Sequence, residues 1–437
     1  MKCLIIASGQ GTRLASKADL KPLVRLLGLS LIARVILRTQ RAGIDDFYVV
    51  TGYNSERLTD YLERFGRRRN IKITCLYNDE WHKENGISVL KAKNTIKENF
   101  ILLMADHIFN EAIITKLKNA GIKNDEVMLA IDSHIEQNYF IDHDDVTKVY
   151  VKDSKALDIG KNIDTYNAFD TGIFLCSPAI FKALEESIKK GETTLSDGVR
   201  ILAKKGTAKT CEVNDYYWID VDDEVRLKQA EEHLTRTFLK KPSDGIISRY
   251  INRPLSIRIT KLLLRTKIHP NCISCFCFIT STVAALFFFL GGYVNLLIGA
   301  MLAQFSSILD GCDGEIARLK FLETEFGGWL DAVLDRYADA VLLLGLTYHT
   351  YQAIGSVVWI FIGMVAIIGS LINSYTADKY DRTMRRRGGY YFRIGRDWRI
   401  FLIFLGGLFN QPALALSAVA ALMNVENIRR VVVLAKA

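Results

Sequence analysis

Along the first half of the chain, short apolar runs alternate with stretches in which apolar residues recur every three or four positions. Cys3–Ala7, Phe47–Thr51, Ile71–Tyr77, Ile101–Ala105 and Val127–Ile131 read as buried strands. Leu31–Ala42 and Ser55–Phe65 carry the helical period between them. This alternation predicts an α/β, Rossmann-like domain, a mostly parallel sheet covered by helices on both faces. Its last helix is expected around Glu224–Phe238, with a linker at Leu239–Gly245 marked by Pro242 and Gly245. From Ile246 to Leu264 the pattern changes. Ile247, Ile251, Leu255, Ile259 and Leu262 recur at helical spacing, with Arg249, Arg253, Arg258 and Lys261 elsewhere on the surface. That predicts an amphipathic helix lying on a membrane and kinked at Pro254, the alternative being a linker helix packed on the soluble domain. Six apolar segments follow, at roughly 271–290, 293–312, 327–349, 354–376, 397–409 and 411–434. The fifth is short for a span. The expected division is 1–238 soluble domain, 239–268 linker and interfacial helix, and 269–437 all-α domain of six transmembrane helices.

Composition and charge assign the sides. The chain of 437 residues is 49% hydrophobic with a net charge of +9, and its basic residues crowd at Lys240–Lys267 and Lys379–Arg399. Beside apolar spans such clusters mark a cytoplasmic membrane face rather than a nucleic-acid surface. Loops near Gly291–Tyr293, Thr350–Ala353 and Asn410–Pro412 hold no Lys or Arg, whereas the opposite loops carry Arg318, Lys320, Lys379, Arg382, Arg385 and others. The soluble half and both termini are therefore expected in the cytoplasm. Met1–Gly9 is too short an apolar stretch for a signal peptide. The eight cysteines are scattered; Cys272, Cys275 and Cys277 lack a second ligand pair, which favours packing residues over zinc ligands.

The second and third apolar segments hold acidic residues where acid is costly. Asp310 and Asp313 are three apart, and Asp331 and Asp335 four apart, so each pair shares a helix face. A carboxylate at the centre of a bilayer costs about 2.5–3.5 kcal/mol, so four unpaired ones would cost on the order of 10 kcal/mol. Arg318 and Arg336 can neutralise part of that, but a pair of divalent cations does so more completely, and oxygen-only ligands favour Mg²⁺ or Mn²⁺ over zinc. Two such ions can clamp the attacking and leaving oxygens of a phosphoryl transfer. The run Asp310-x2-Asp313-Gly314-x2-Ala317-Arg318-x8-Gly327-x3-Asp331-x3-Asp335 meets every fixed position of the CDP-alcohol phosphotransferase signature, which this half of the chain resembles. The resemblance implies that Asp310, Asp313 and Asp331 bind metal and the CDP diphosphate. It makes Asp335 both a metal ligand and the general base for the acceptor hydroxyl. It also implies that Gly314, Ala317 and Arg318 line the cytidine diphosphate pocket, with Asp339 a polar neighbour.

At the other end, the first strand runs into Ser8-Gly9-Gln10-Gly11-Thr12-Arg13 and then Lys21-Pro22-Leu23. Gly9 and Gly11 let backbone N–H groups approach phosphates. Leu14 stands where the dinucleotide fingerprint needs glycine, and the Walker A Lys-Ser/Thr pair is absent. The loop resembles that of the sugar-nucleotide nucleotidyltransferases. This implies that Ser8, Gly9, Gly11 and Thr12 hold an NTP, and that Arg13 and Lys21 stabilise its charge during catalysis. The usual proline-leucine continuation is replaced by Leu14-Ala15-Ser16-Lys17. The same resemblance makes Asp106 and Asp220 the Mg²⁺ ligands, Asp222 a weaker candidate. It puts Asn85, Gly86 and Ser88 on the nucleotide base and ribose, Lys161 on the substrate phosphate, and Asp170-Thr171-Gly172 beside the sugar or polyol.

Together the halves resemble the family of fused inositol-1-phosphate cytidylyltransferases and di-myo-inositol phosphate phosphate synthases. That implies CTP and inositol 1-phosphate as substrates, CDP-inositol as intermediate and a precursor of a compatible solute as product; a homodimer is one of the assemblies the sequence leaves open. A phosphorylated acceptor would give Arg386, Arg387, Arg393 and Arg396 a role as phosphate binders; membrane-face charge is the other account of them. A lipid synthase with an acyl or isoprenoid substrate is the competing activity.

Overall fold

The computed structural model describes residues 1–14, 16–135, 145–239, 245–386 and 394–435. It divides into two compact units, Met1–Glu232 and His233–Ala437.

The first unit is built on a nine-stranded sheet. Its order is Lys72–Tyr77, Asp46–Thr51, Lys2–Ala7, Phe100–Met104, Ala168–Cys176, Val127–Asp132, Ala208–Glu212, Lys155–Gly160 and Lys148–Lys152. The first four strands are parallel. The sheet as a whole is mixed rather than mostly parallel, because Ala168–Cys176 runs antiparallel to both its neighbours and Lys148–Gly160 forms an antiparallel hairpin. Sequence periodicity misses these strands: the hairpin is rich in lysine, and Asp170, Thr171 and Gly172 interrupt the apolar run of the long central strand. Strand residues such as Leu4, Leu102, Leu129 and Phe174 form one core with Phe181, whose ring stacks on Phe100 at 5.5 Å. Ile6 is level with Met104 in the parallel register, so the loop beginning at Ser8 and the turn holding Asp106 leave the sheet at the same edge. That edge, at the carboxyl ends of parallel strands, is where open sheets bind ligands.

In the second unit, a π turn at Ser248–Asn252 leads into the α-helix Arg253–Leu263. Pro254 lies in the first turn of that helix, where its missing N–H costs little. Asn252, Ser256 and Thr260 are buried while Leu255 and Leu262 are exposed, so the polar stripe faces inward. Ser256 Oγ (2.7 Å) and Arg253 (2.6 Å) both donate to the buried carboxylate of Glu315 on the next long helix. Six helices follow among the described residues: Pro270–Phe289, Tyr293–Lys320, Glu325–Ile354, Val358–Arg386, Arg396–Leu408 and Pro412–Ala435. Three are long and apolar enough to cross a membrane, Pro270–Phe289, Tyr293–Lys320 and Val358–Ala377. Glu325–Ile354 is long enough but less apolar, carrying Asp331, Asp335, Arg336 and Asp339. Arg396–Leu408 has 13 residues, roughly 20 Å of helix against a hydrocarbon layer of about 30 Å. Small residues allow close packing. A Cβ on Gly345 would lie 2.8 Å from the Ala285 carbonyl oxygen, and one on Gly299 2.7 Å from that of Ala284.

Candidate active sites

In the first unit, two sequence-distant segments meet at the sheet edge. Gly11 has φ +63°, and a Cβ there would run into the Lys21 side chain, so glycine lets that lysine cross the loop. Lys21 Nζ donates to Asp106 Oδ2 at 2.5 Å and also to Asp222. The short strand Trp218–Asp220 pairs antiparallel with His107–Phe109, setting Asp220 opposite His107. His107 Nδ1 lies 2.9 Å from Asp106 Oδ1 and 3.7 Å from Asp220 Oδ1. On the other side of a cavity of about 430 Å³, Asp145 pairs with Arg13 (2.7 Å) and Lys161 (2.5 Å). Ser8 and Ser88 share a buried 2.7 Å hydrogen bond, and Asn78 donates to Ser88. Asn85 accepts from the Leu195 amide at 2.8 Å, and a Cβ on Gly86 would press on the Thr193 carbonyl. The cavity therefore brings together Ser8, Gly9, Gly11, Arg13, Lys21, Asn85, Ser88, Asp106, Lys161 and Asp220. Thr12 is exposed at the start of the following short helix.

The electrostatics of this edge favour a cation. Burial works against charge on Asp106, yet Lys21 and His107 outweigh it and hold the carboxyl well below its usual range. Burial, with Asp106 and Asp222 nearby, pushes Asp220 up to about 7. His107 is raised to about 9: its burial opposes the proton, but Asp220 and Asp106 more than compensate. Lys161 and Arg13 hold Asp145 down at about 2. Asp106, His107 and Asp220 offer ligand atoms within 4.8 Å of one another, and Asp220 Oδ1 is buried without a hydrogen bond. A buried, unsatisfied carboxylate oxygen beside a second carboxylate suits a hard divalent cation. His107 and Asp145 escaped the sequence reading. The signal for His107 was its place immediately after Asp106, whereas nothing in the sequence ties Asp145 to Arg13.

In the second unit, carboxylate oxygens of Asp310, Asp331 and Asp335 lie within 4.8 Å of one another, a donor set that fits divalent metal. Asp313, one helical turn from Asp310, is buried and lies outside that group of three; it accepts from Ser274 Oγ at 2.5 Å and from the Gly314 amide. Gly314, Ala317 and Arg318 lie half-buried on the next turn, where a Cβ on Gly314 would meet the Arg318 guanidinium at 3.1 Å. Arg396 reaches into the cluster, 2.8 Å from Asp335 and 3.1 Å from Asp310. Its Nε donates to Asp339 at 2.9 Å, and Asp339 also receives Arg399 at 2.8 Å. Arg336 stands 3.9 Å from Asp335. Arg387 and Arg393 lie outside the described residues, as does the side chain of Arg386. The clamp of Asp339 by two arginines was not readable from sequence, because it joins two helices with no shared motif.

The chain matches the nucleotidyl transferase family over residues 2–237 and the CDP-alcohol phosphatidyltransferase family over residues 267–428. These matches define a nucleotidyltransferase domain joined to a CDP-alcohol phosphotransferase domain. Over 418 residues the chain is 32% identical to the bifunctional IPC transferase and DIPP synthase of Aquifex aeolicus (strain VF5), covering 92% of this chain and 90% of that one. It is 33% identical over 382 residues to the protein of the same name from Thermococcus kodakarensis, covering 87% and 82%. Its membrane half is 30% identical over 184 residues to the archaetidylinositol phosphate synthase of Pyrococcus horikoshii, covering 41% of this chain and 90% of that protein. The chain belongs to the family of bifunctional IPC transferases and DIPP synthases.

Proposed function

We propose that the chain makes CDP-inositol from CTP and inositol 1-phosphate, releasing pyrophosphate. It then transfers the inositol phosphate group to a second inositol 1-phosphate, releasing CMP. The observation carrying this reading is one carboxylate cluster in each unit, each inside the part of the chain that matches a different transferase family.

In the first step the substrate phosphate oxygen attacks the α-phosphorus of CTP. Arg13 and Lys21 neutralise the triphosphate and the departing pyrophosphate, while Lys161 draws in the attacking phosphate. To do so the three cations exchange carboxylate partners, Asp145, Asp106 and Asp222, for phosphate oxygens. Ser8, Gly9, Gly11 and Thr12 hold the nucleotide phosphates, and Asn85, Gly86 and Ser88 its base and ribose. In the second step Asp335 takes the proton of the acceptor hydroxyl as its oxygen attacks the inositol-bearing phosphorus and the bond to CMP breaks. Gly314, Ala317 and Arg318 hold the cytidine diphosphate. Arg386, Arg387, Arg393 and Arg396 supply charge for the acceptor phosphate, and Arg396 reaches Asp335 at 2.8 Å. Divalent cations, Mg²⁺ or Mn²⁺, held by Asp106 and Asp220 and by Asp310, Asp313, Asp331 and Asp335, supply Lewis acidity at the transferring phosphorus.

The domain limits that go with this reading are 1–238, 239–268 and 269–437, with six spans and a cytoplasmic soluble domain. The exposed Leu255, Tyr250 and Leu262 support an interfacial position for the helix before the spans. A lipid acceptor is the second reading, favoured by the match to the archaetidylinositol phosphate synthase. Incubation with CTP, Mg²⁺ and inositol 1-phosphate, followed by phosphorus NMR, separates the two. Pyrophosphate, CMP and a water-soluble diester are expected; CDP-inositol accumulating without CMP would point to the lipid acceptor.

A further inference from the structure

Away from the nucleotide cavity, the first unit holds a second concavity of about 740 Å³. The Ser55–Arg69 helix forms one wall, with Arg57, Tyr61, Arg64, Phe65 and Arg68 spaced three or four apart on a single face. Lys17 and Arg25 approach from the chain that follows the phosphate loop, and Arg69 closes the end. Six cations thus face one acid in the lining, Asp19. Arg57 pairs with Asp19, and Lys17 with Glu224 at 3.1 Å. Arg64 donates to a carbonyl of its own helix, and neither it nor Arg25 nor Arg68 has a carboxylate partner among the described residues. Between the cations lies an apolar wall. The rings of Tyr61 and Phe65 stack at 6.0 Å, and Ser30 fixes the Tyr61 hydroxyl at 2.8 Å.

A solvated basic face sends its side chains apart to water or to acids on the same helix, as Arg67 does toward Glu63. Here six cations line one hollow, five of them exposed around it, and the half-buried Arg69 has its guanidinium pushed down by loss of water. Like charges brought together this way repel, and a multivalent anion reverses the sign of that interaction. Guanidinium groups present paired donors matched to phosphate oxygens, which favours phosphate over a lone carboxylate.

We infer that this hollow is a second anion site, built for a ligand carrying more than one phosphate charge and distinct from the cytidylyl-transfer cavity. Lys17, Asp19 and Leu23 line it, while Arg13 and Lys21 of the same segment line the nucleotide cavity. The phosphate can belong to a soluble ester or to a headgroup of the bilayer in which the other half of the chain is embedded.

The test compares the full-length protein with its R64Q/R68Q variant. Equilibrium dialysis in zwitterionic detergent with inorganic pyrophosphate is expected to show about one more bound ion per chain for the wild type. Unchanged kcat for CDP-inositol formation certifies the fold of the variant, and Arg25→Gln replaces it if that check fails. Hydrogen exchange of residues 55–69 is then compared in nanodiscs of phosphatidylcholine with and without phosphatidylglycerol. Protection that needs phosphatidylglycerol and disappears in the variant assigns the site to lipid headgroups. A pyrophosphate difference without such protection assigns it to soluble phosphates. Equal pyrophosphate binding by both proteins, with the same exchange in both nanodiscs, overturns the proposal.

Discussion

The soluble and membrane halves each gather carboxylates around one basic side chain, but they reach that arrangement by opposite routes. In the soluble half Lys21 meets Asp106 and Asp222 across 85 and 201 residues, and the sheet edge and a two-stranded pairing hold the acids in place. In the membrane half Asp310, Asp331 and Asp335 lie on two successive helices, and helix periodicity alone sets each residue's face. The basic groups differ too. A lysine suffices at an edge open to a solvated cavity. Within the bundle an arginine spans Asp310, Asp335 and Asp339 at once, which a compact ammonium could not do with fixed geometry. Local spacing sets the carboxylates of one site, and tertiary structure brings in its arginine and builds the whole of the other.

If the halves are chemically parallel, chelation of divalent cations should stop both reactions, and added Mg²⁺ should restore both. Survival of either half in chelator would break the parallel. Next in size, Asp106→Ala should lower CDP-inositol formation by about 10³-fold or more while leaving transfer from supplied CDP-inositol intact. Pyrophosphate and CMP release, followed separately, check this. Removing the central cations should cost less. Lys21→Met and Arg396→Gln are each expected to slow only their own half-reaction, by about 10²-fold. Loss of both activities from either variant would show that the sites are not separable.

Smaller effects sharpen the contrast in packing. Gly345→Ala places a methyl against the Ala285 carbonyl and should destabilise the helical half by about 1–3 kcal/mol, seen as an earlier melting transition with CDP-inositol formation retained. Asp170, lifted by burial to about 7, gives a pH signature in the soluble half. Its folded pKa exceeds that of the unfolded chain, about 3.9, so the native state loses stability as pH rises from there toward 7. Asp170→Asn keeps an acceptor for the Gly172 amide and removes the titration. Its melting temperature should therefore gain on the wild type between about pH 4 and pH 7. A constant difference across that range would contradict the buried assignment.

This division of labour also explains what the sequence makes readable. Helical spacing shows the faces of Asp310, Asp331 and Asp335, and apolar runs mark the five strands from Cys3 to Ile131. The lysine-flanked strand Lys148–Lys152, paired with Lys155–Gly160 and with the start of Ala168–Cys176, lacks that signature. The direction of Ala168–Cys176 depends on neighbours far away in sequence. Arg396 read as a membrane-face charge or phosphate binder, because only folding brings it to Asp335. In the helix before the spans, the apolar stripe was plain, but the inward stripe of Asn252, Ser256 and Thr260 acquires meaning only through partners such as Glu315.

The most direct test of the two-site account is phosphorus NMR of the Asp335→Asn enzyme supplied with CTP, Mg²⁺ and inositol 1-phosphate. Pyrophosphate and CDP-inositol are expected to accumulate together while CMP and diester stay absent. Continued release of CMP with diester formation would contradict it.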